Sequence, residues 1–133
     1  IEICGRSSNM ERMTKNTDIK TMGMFELAHN DVFTKDGAAW YRDYDNELSC
    51  RDLTRKLYKE NNIEQQAEFW SDDDYFDEVM FENLQYGFST LEGIIAMLYM
   101  ELWSKCDLRE CLSRYEDLKL SPDEIIGKLT HSE

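Results

Sequence analysis

Apolar residues recur along this chain at the three- and four-residue spacing of amphipathic helices. Leu53, Leu57 and Tyr58 mark one face over 50–61, and Phe76, Val79, Met80 and Leu84 mark another over 72–86. Leu91, Ile94, Ile95, Leu98 and Leu102 follow over 90–104. There the near-continuous apolar run from Ile94 to Met100 predicts the central, most buried helix. Leu108, Cys111 and Leu112 belong to a helix over 108–117, and Ile125, Ile126 and Leu129 to the last one. A shorter helix over 22–30 rests on Met24, Phe25, Leu27 and Ala28, with Gly23 counting against it.

Punctuation supports these elements. Ser49, Ser71, Ser89, Asp107 and Ser121 each stand three residues before an acid, the spacing at which a cap side chain and an N3 carboxylate serve the free N–H groups of a helix start. Ser121 is the strongest, because Pro122 fits the first helical position, where its missing N–H costs nothing. Gly87 sits where a helix stop is wanted. One region departs from helical spacing: Asp36-Gly37 lies between Val32-Phe33 and Ala38 to Arg42, which predicts a β-hairpin at 32–42. The expected fold is therefore mainly α (α+β), a compact helical domain of five to six helices with one N-terminal hairpin. Residues 17–133 form that single domain. Residues 1–16 lack periodicity and read as an arm, either flexible or partly foreign to the native chain, whose start is then Met10 or Met13.

Composition fits a folded domain. Of 133 residues, 41% are hydrophobic and 12% aromatic, and a chain of this length buries roughly two-thirds of its unfolded surface. Charge changes the picture more. The chain carries 28 acids against 15 bases, a formal net charge of −13. From Asn61 to Ser104, 44 residues hold ten acids and no Lys, Arg or His. Such a surface repels nucleic acid and acidic membranes and attracts basic proteins. The apolar run is far short of the roughly 20 residues of a membrane span, and no secretory signal is visible at the N-terminus. A cytoplasmic setting with reduced thiols at Cys4, Cys50, Cys106 and Cys111 is the resulting expectation, since no CxxC pair occurs.

Candidate chemistry follows from these patterns. Asp74, Glu78 and Glu82 are spaced i, i+4, i+8 and place carboxylates about 6 Å apart on one helix face, with Phe81 beside them. The alternatives are a solvated face, a partner-binding face, or a mimic of the phosphates along a nucleic-acid strand. Ordinary solvated helices intersperse Lys, because like charges at i, i+4 destabilise. Trp40 and Tyr41 form a second candidate, either half-buried strand residues or an aromatic hot spot. Arg51, Arg55, Lys56 and Lys59 share one helix and read either as a phosphate-binding face or as partners for the acidic helix. EF-hand spacing fails, since a loop begun at Asp43 has Leu48 at position six and Thr54 at position twelve. No metal site or cofactor is expected. No nucleotide-binding, hydrolase-elbow or zinc-protease motif occurs, which leaves His29 as an acid–base group or Cys50 near a helix start as the enzyme alternatives. The histidine at 131 lies close to the chain end.

The stretches Phe25 to Asn30, Lys35 to Asp43 and Leu48 to Leu53 resemble small acidic proteins carried in mobile-element clusters of Gram-positive gut bacteria. The likeness covers residues 22–60 and implies a bacterial, cytoplasmic setting, with no assigned activity or catalytic residues. By analogy it adds anti-defence or regulatory roles. The expected function is binding of a basic or nucleic-acid-binding protein through Asp74, Glu78, Phe81 and Glu82, with Trp40 and Tyr41 as a further contact. There is no direct nucleic-acid or membrane partner, and a homo-oligomer is left open. The alternatives are a DNA-mimic anti-defence protein of anti-restriction or anti-CRISPR type, or an enzyme using His29 or Cys50.

Overall fold

A computed structural model describes residues 11–131. Cys4, the start at Met10 and the rest of residues 1–10 lie outside the described residues, as does the His131 side chain. The fold is mainly α with a small sheet, in the order α1 (Met24–Asn30), β1 (Val32–Lys35), β2 (Ala38–Asp43), β3 (Asn46–Ser49), α2 (Cys50–Glu60), α3 (Ala67–Ser71), α4 (Asp73–Asn83), α5 (Leu91–Asp117) and α6 (Pro122–His131). Short 3-10 segments lie at Ile19–Thr21 and Leu84–Ser89. Among the described residues, no helix is long and apolar enough to cross a membrane.

The hairpin is β1–β2. Asp36 and Gly37 both take positive φ (51° and 72°), as a two-residue type I′ turn requires. The sheet then continues into β3, which pairs antiparallel with β2 from Trp40↔Ser49 to Asp43↔Asn46. The spacing did not predict β3, because Asn46 and Glu47 are poor strand formers and Tyr44 makes the turn at an uncommon positive φ of 53°.

Two helix starts shift by one residue from their expected caps. Asp72, rather than Ser71, accepts from the N–H groups of Asp74 and Tyr75. Thr90, rather than Ser89, accepts from Gly93. Ser49 and Ser121 cap as expected, at 3.0 and 3.2 Å. The signature at Asp107 starts no helix: the helices expected at 90–104 and 108–117 are one, α5. No Gly or Pro lies between Ile94 and Asp117, and Leu102, Cys106 and Arg109 keep the buried face in phase at i, i+4, i+7.

The core is a chain of rings. Tyr58 of α2 lies 4.6 Å from Phe69 of α3, Phe69 5.0 Å from Phe76 of α4, Phe76 5.1 Å from Tyr99 of α5, and Tyr99 5.9 Å from Trp103. Phe69 explains α3, a five-residue helix that carries one wholly buried ring into this column. Val32 and Ala39 bring the sheet onto it from the other side.

Of the arm expected at 1–16, the described part is tied down. The N–H groups of Met13 and Thr14 donate to the Glu116 carboxylate at the far end of α5. Arg109, almost wholly buried, donates to the carbonyl of Lys15 and to Asn16 and Asn30 side chains. Burial and the nearby Arg42 push the Arg109 guanidinium below its ordinary pKa. Burial pushes the Glu116 carboxyl up, but bonds from Thr14 and Met13 leave it net lowered.

Gly93 faces the backbone of Gly87, where φ is 51°, so closely that an added Cβ overlaps the Gly87 carbonyl. Gly93→Ala is therefore expected to cost about 1–3 kcal/mol. Gly127→Ala, with open space around it in α6, should be neutral or gain up to about 1 kcal/mol from helix propensity. Urea titration followed by circular dichroism compares the two; equal losses would contradict the close approach.

Candidate protein-binding surface

The acidic segment divides into two kinds of carboxylate. Helix α2 follows β3 directly, and its Ser49 cap fixes the phase that turns Arg51 and Arg55 toward α4. Arg51 donates from Nε and Nη2 to Asp77, at 3.1 and 2.7 Å, a two-pronged charge-assisted pair. Tyr99 of α5 donates to the same carboxylate at 2.7 Å. Arg55 donates to Asp73 at 2.9 Å and to the carbonyl of Phe69 at 2.9 Å. Both guanidinium groups also lie over rings, Arg51 at 4.8 Å from Trp103 and Arg55 at 4.9 Å from Phe76. The basic helix is thus committed to the acidic one. Lys59 covers Trp70 at 5.2 Å, and Lys56 pairs with Glu60.

Asp74, Glu78 and Glu82 point away from this lattice. They are exposed and join no ion pair among the described residues. Phe81, on the same side of α4, is 78% exposed. It stands three residues after Glu78 and seven after Asp74, hence above both on the helix surface.

Phe81 edges a groove of about 490 Å³ between α4 and α5, floored by Met80, Leu84, Ala96 and Trp103 and closed on the far side by Met100. Asp107 stands at one end. The apolar run of α5 is consequently not the fully buried element that its spacing predicts. Ile95, Ala96, Tyr99 and Leu102 are buried, whereas Ile94, Leu98 and Met100 remain 46%, 43% and 43% exposed. Too few elements surround α5 to cover a helix that is apolar on every side. The absence of bases over 90–104 therefore leaves an exposed surface with no positive charge.

Trp40 and Tyr41 are not brought to this surface, and they do not share a face. Tyr41 opposes Val32 and packs against the core, where burial raises its pKa, with Asp31 and Asp43 adding to the effect. Trp40 opposes Phe33 on the outer face, with Lys35 4.4 Å above its ring, and lines a separate polar depression with Asp18, Arg42 and Tyr44.

Cys50 lacks the lowered pKa that its helix-start position suggests. It is wholly buried, and burial together with the neighbouring Cys106 pushes the thiol up to about 12. His29 is exposed at the end of α1, beside a depression of about 140 Å³ that it shares with Lys105 and Arg109. Sequence reasoning missed the groove residues Met100, Trp103 and Asp107. The available signal was the run itself, since a helix apolar all round in a small domain exceeds what its neighbours can cover. No family model, curated protein or solved structure matches this chain.

Burial pushes the Asp77 carboxyl up, but Arg51 and Tyr99 more than offset it and hold it below the ordinary carboxylate value. Its contribution to stability is therefore complete above the unfolded value of about 3.9 and is lost as pH falls through the lower folded one. Asp77→Asn is expected to lower stability by about 2 kcal/mol at pH 7. The gap to the parent protein should hold down to about pH 5 and narrow below about pH 4. Urea titrations across that range check it; a gap that widens on acidification would exclude this role.

Proposed function

We propose that this protein works by binding a basic partner protein through the outer face of α4, with Asp74, Glu78 and Glu82 as the attracting charges and Phe81 as an apolar contact. The observation that carries this reading is the division of labour within one helix. Asp73 and Asp77 are neutralised by Arg55 and Arg51, while the other three carboxylates are left without a cation among the described residues. Like charges one turn apart cost a few tenths of a kcal/mol per pair. A cation brought by a partner removes that cost. The resemblance to mobile-element proteins supplies a genetic setting for such a role. Mimicry of DNA rests on the same ladder, but the exposed Phe81 ring favours a contact with apolar content over a phosphate-binding groove.

The test is retention of bacterial lysate proteins on the immobilised chain at about 0.1 M and about 1 M salt, where the screening length falls from about 10 to about 3 Å. A basic protein held at low salt should be released at high salt. It should also be lost from the Asp74→Lys, Glu78→Lys, Glu82→Lys variant but kept by Glu64→Lys, Glu68→Lys. Retention by the first variant sinks the reading, and displacement by duplex DNA marks the partner as a nucleic-acid-binding protein.

A further inference from the structure

Resting on that reading, we infer that the α4–α5 groove takes an amphipathic helix with a basic flank, its apolar side laid between Phe81, Met100 and Trp103. Three features point to this occupant. The first is shape. Along α5 the groove runs from Ala96 to Asp107, which at 1.5 Å per residue is about 16 Å, or three turns of a guest helix. Its walls are two helices, so the open side presents a trough rather than a flat patch.

The second feature is the lining. Met80 lies in its floor and Met100 on its far side, with Leu84, Ala96 and the Trp103 ring beside them. Methionine is unbranched and polarizable, so a Met-lined trough adapts to apolar side chains of differing shape. Helix-in-groove recognition uses anchors at i, i+3, i+4 and i+7, a periodicity that three turns accommodate.

The third feature is charge. Asp74 and Glu78 lie beside Phe81 on α4, on its side away from the groove, and Asp107 stands at the end of the α5 wall; all three are exposed and without an ion pair among the described residues. No Lys, Arg or His is among the residues lining the groove, and Lys105, on the same stretch of α5, is paired with Asp31 at 2.6 Å. Asp77 borders the floor, but Arg51 and Tyr99 already occupy it. A second copy of this chain brings a formal net charge of −13 to the same surface. Electrostatics therefore selects a basic helix over self-association.

The probe is a labelled 16-residue synthetic peptide of Leu and Lys with one apolar helical face, read by fluorescence anisotropy at about 0.1 M salt. A scrambled peptide of equal composition and an amphipathic Leu–Glu peptide are its controls. The amphipathic Leu–Lys peptide should bind at least about tenfold more tightly than the scrambled one, and the Leu–Glu peptide should not bind. Phe81→Ala and Met100→Gln should each weaken it about tenfold with the thermal midpoint unchanged, since both side chains are exposed. Methyl NMR signals of Met80 and Met100 should shift on binding, while that of the remote Met24 stays in place.

Other results separate this inference from the reading beneath it. If amphipathic and scrambled peptides bind equally, and only charge reversal at Glu78 and Glu82 weakens them, the groove is not the seat and the acidic face alone stands. Absence of binding overturns the helix-in-groove inference, while the salt-dependent lysate experiment still decides the acidic face. A concentration-dependent dimer abolished by Phe81→Ala identifies a second copy as the occupant and overturns it as well.

Discussion

The shared carboxylate of Asp77 is the contact on which the rest of this structure depends. Three helices reach it: Asp77 itself from α4, the forked Arg51 from α2 and the Tyr99 hydroxyl from α5. A helix with this many acids and no base cannot supply its own counter-charges, so its cations come from elsewhere in the chain. Arg51 does so while lying on Trp103, and Arg55 does so while lying on Phe76. Each arginine thus neutralises an acid and covers an aromatic ring in one placement. A lysine would supply the charge without the planar stack or the fork.

That node also sorts the surface. Carboxylates turned toward α2 are spent on holding the domain together, and those turned away remain available. The groove lies at the boundary between the two sets, because Asp77 and Trp103 belong to its lining and to the arginine lattice at once. A ligand pressing on Trp103 therefore bears on the ring that Arg51 covers. Binding surface and structural core share one wall.

Much of the fold was legible where local chemistry decides it. Asp36-Gly37 names its turn, Ser49 and Ser121 name their helices, and the spacing of Phe76, Val79, Met80 and Leu84 orients α4 correctly. Reading failed where tertiary context decides. The Asp107 signature is overridden by the buried stripe running through Leu102, Cys106 and Arg109, and β3 forms from residues with little strand preference because β2 offers it an edge. The acidic face was visible as a count of charges, and the pairing of the basic helix with it was one of two open readings. The groove was hidden, because whether Met100 is covered depends on how many elements surround α5, and periodicity carries no such information. Trp40 and Tyr41 were singled out by residue type, and their parting to opposite faces was itself legible in the alternation along a strand.

The bonds from residues 13–16 to α5 bear on how the chain is made. Thr14 meets Glu116 across a separation of 102 residues, and Arg109 meets Asn16 across 93. A ribosome adding roughly 5–20 residues per second needs on the order of 5–20 s to span that distance. During that interval the N-terminal segment has emerged, but its anchor has not been synthesised. The Asn30 side chain, which accepts from Lys15 and donates to the carbonyl of Met13, lies only 15 and 17 residues from these partners and is made long before α5. Arg109 of α5 donates to the same Asn30 oxygen and to Lys15 and Asn16, so a helix made late secures a segment made more than ninety residues earlier.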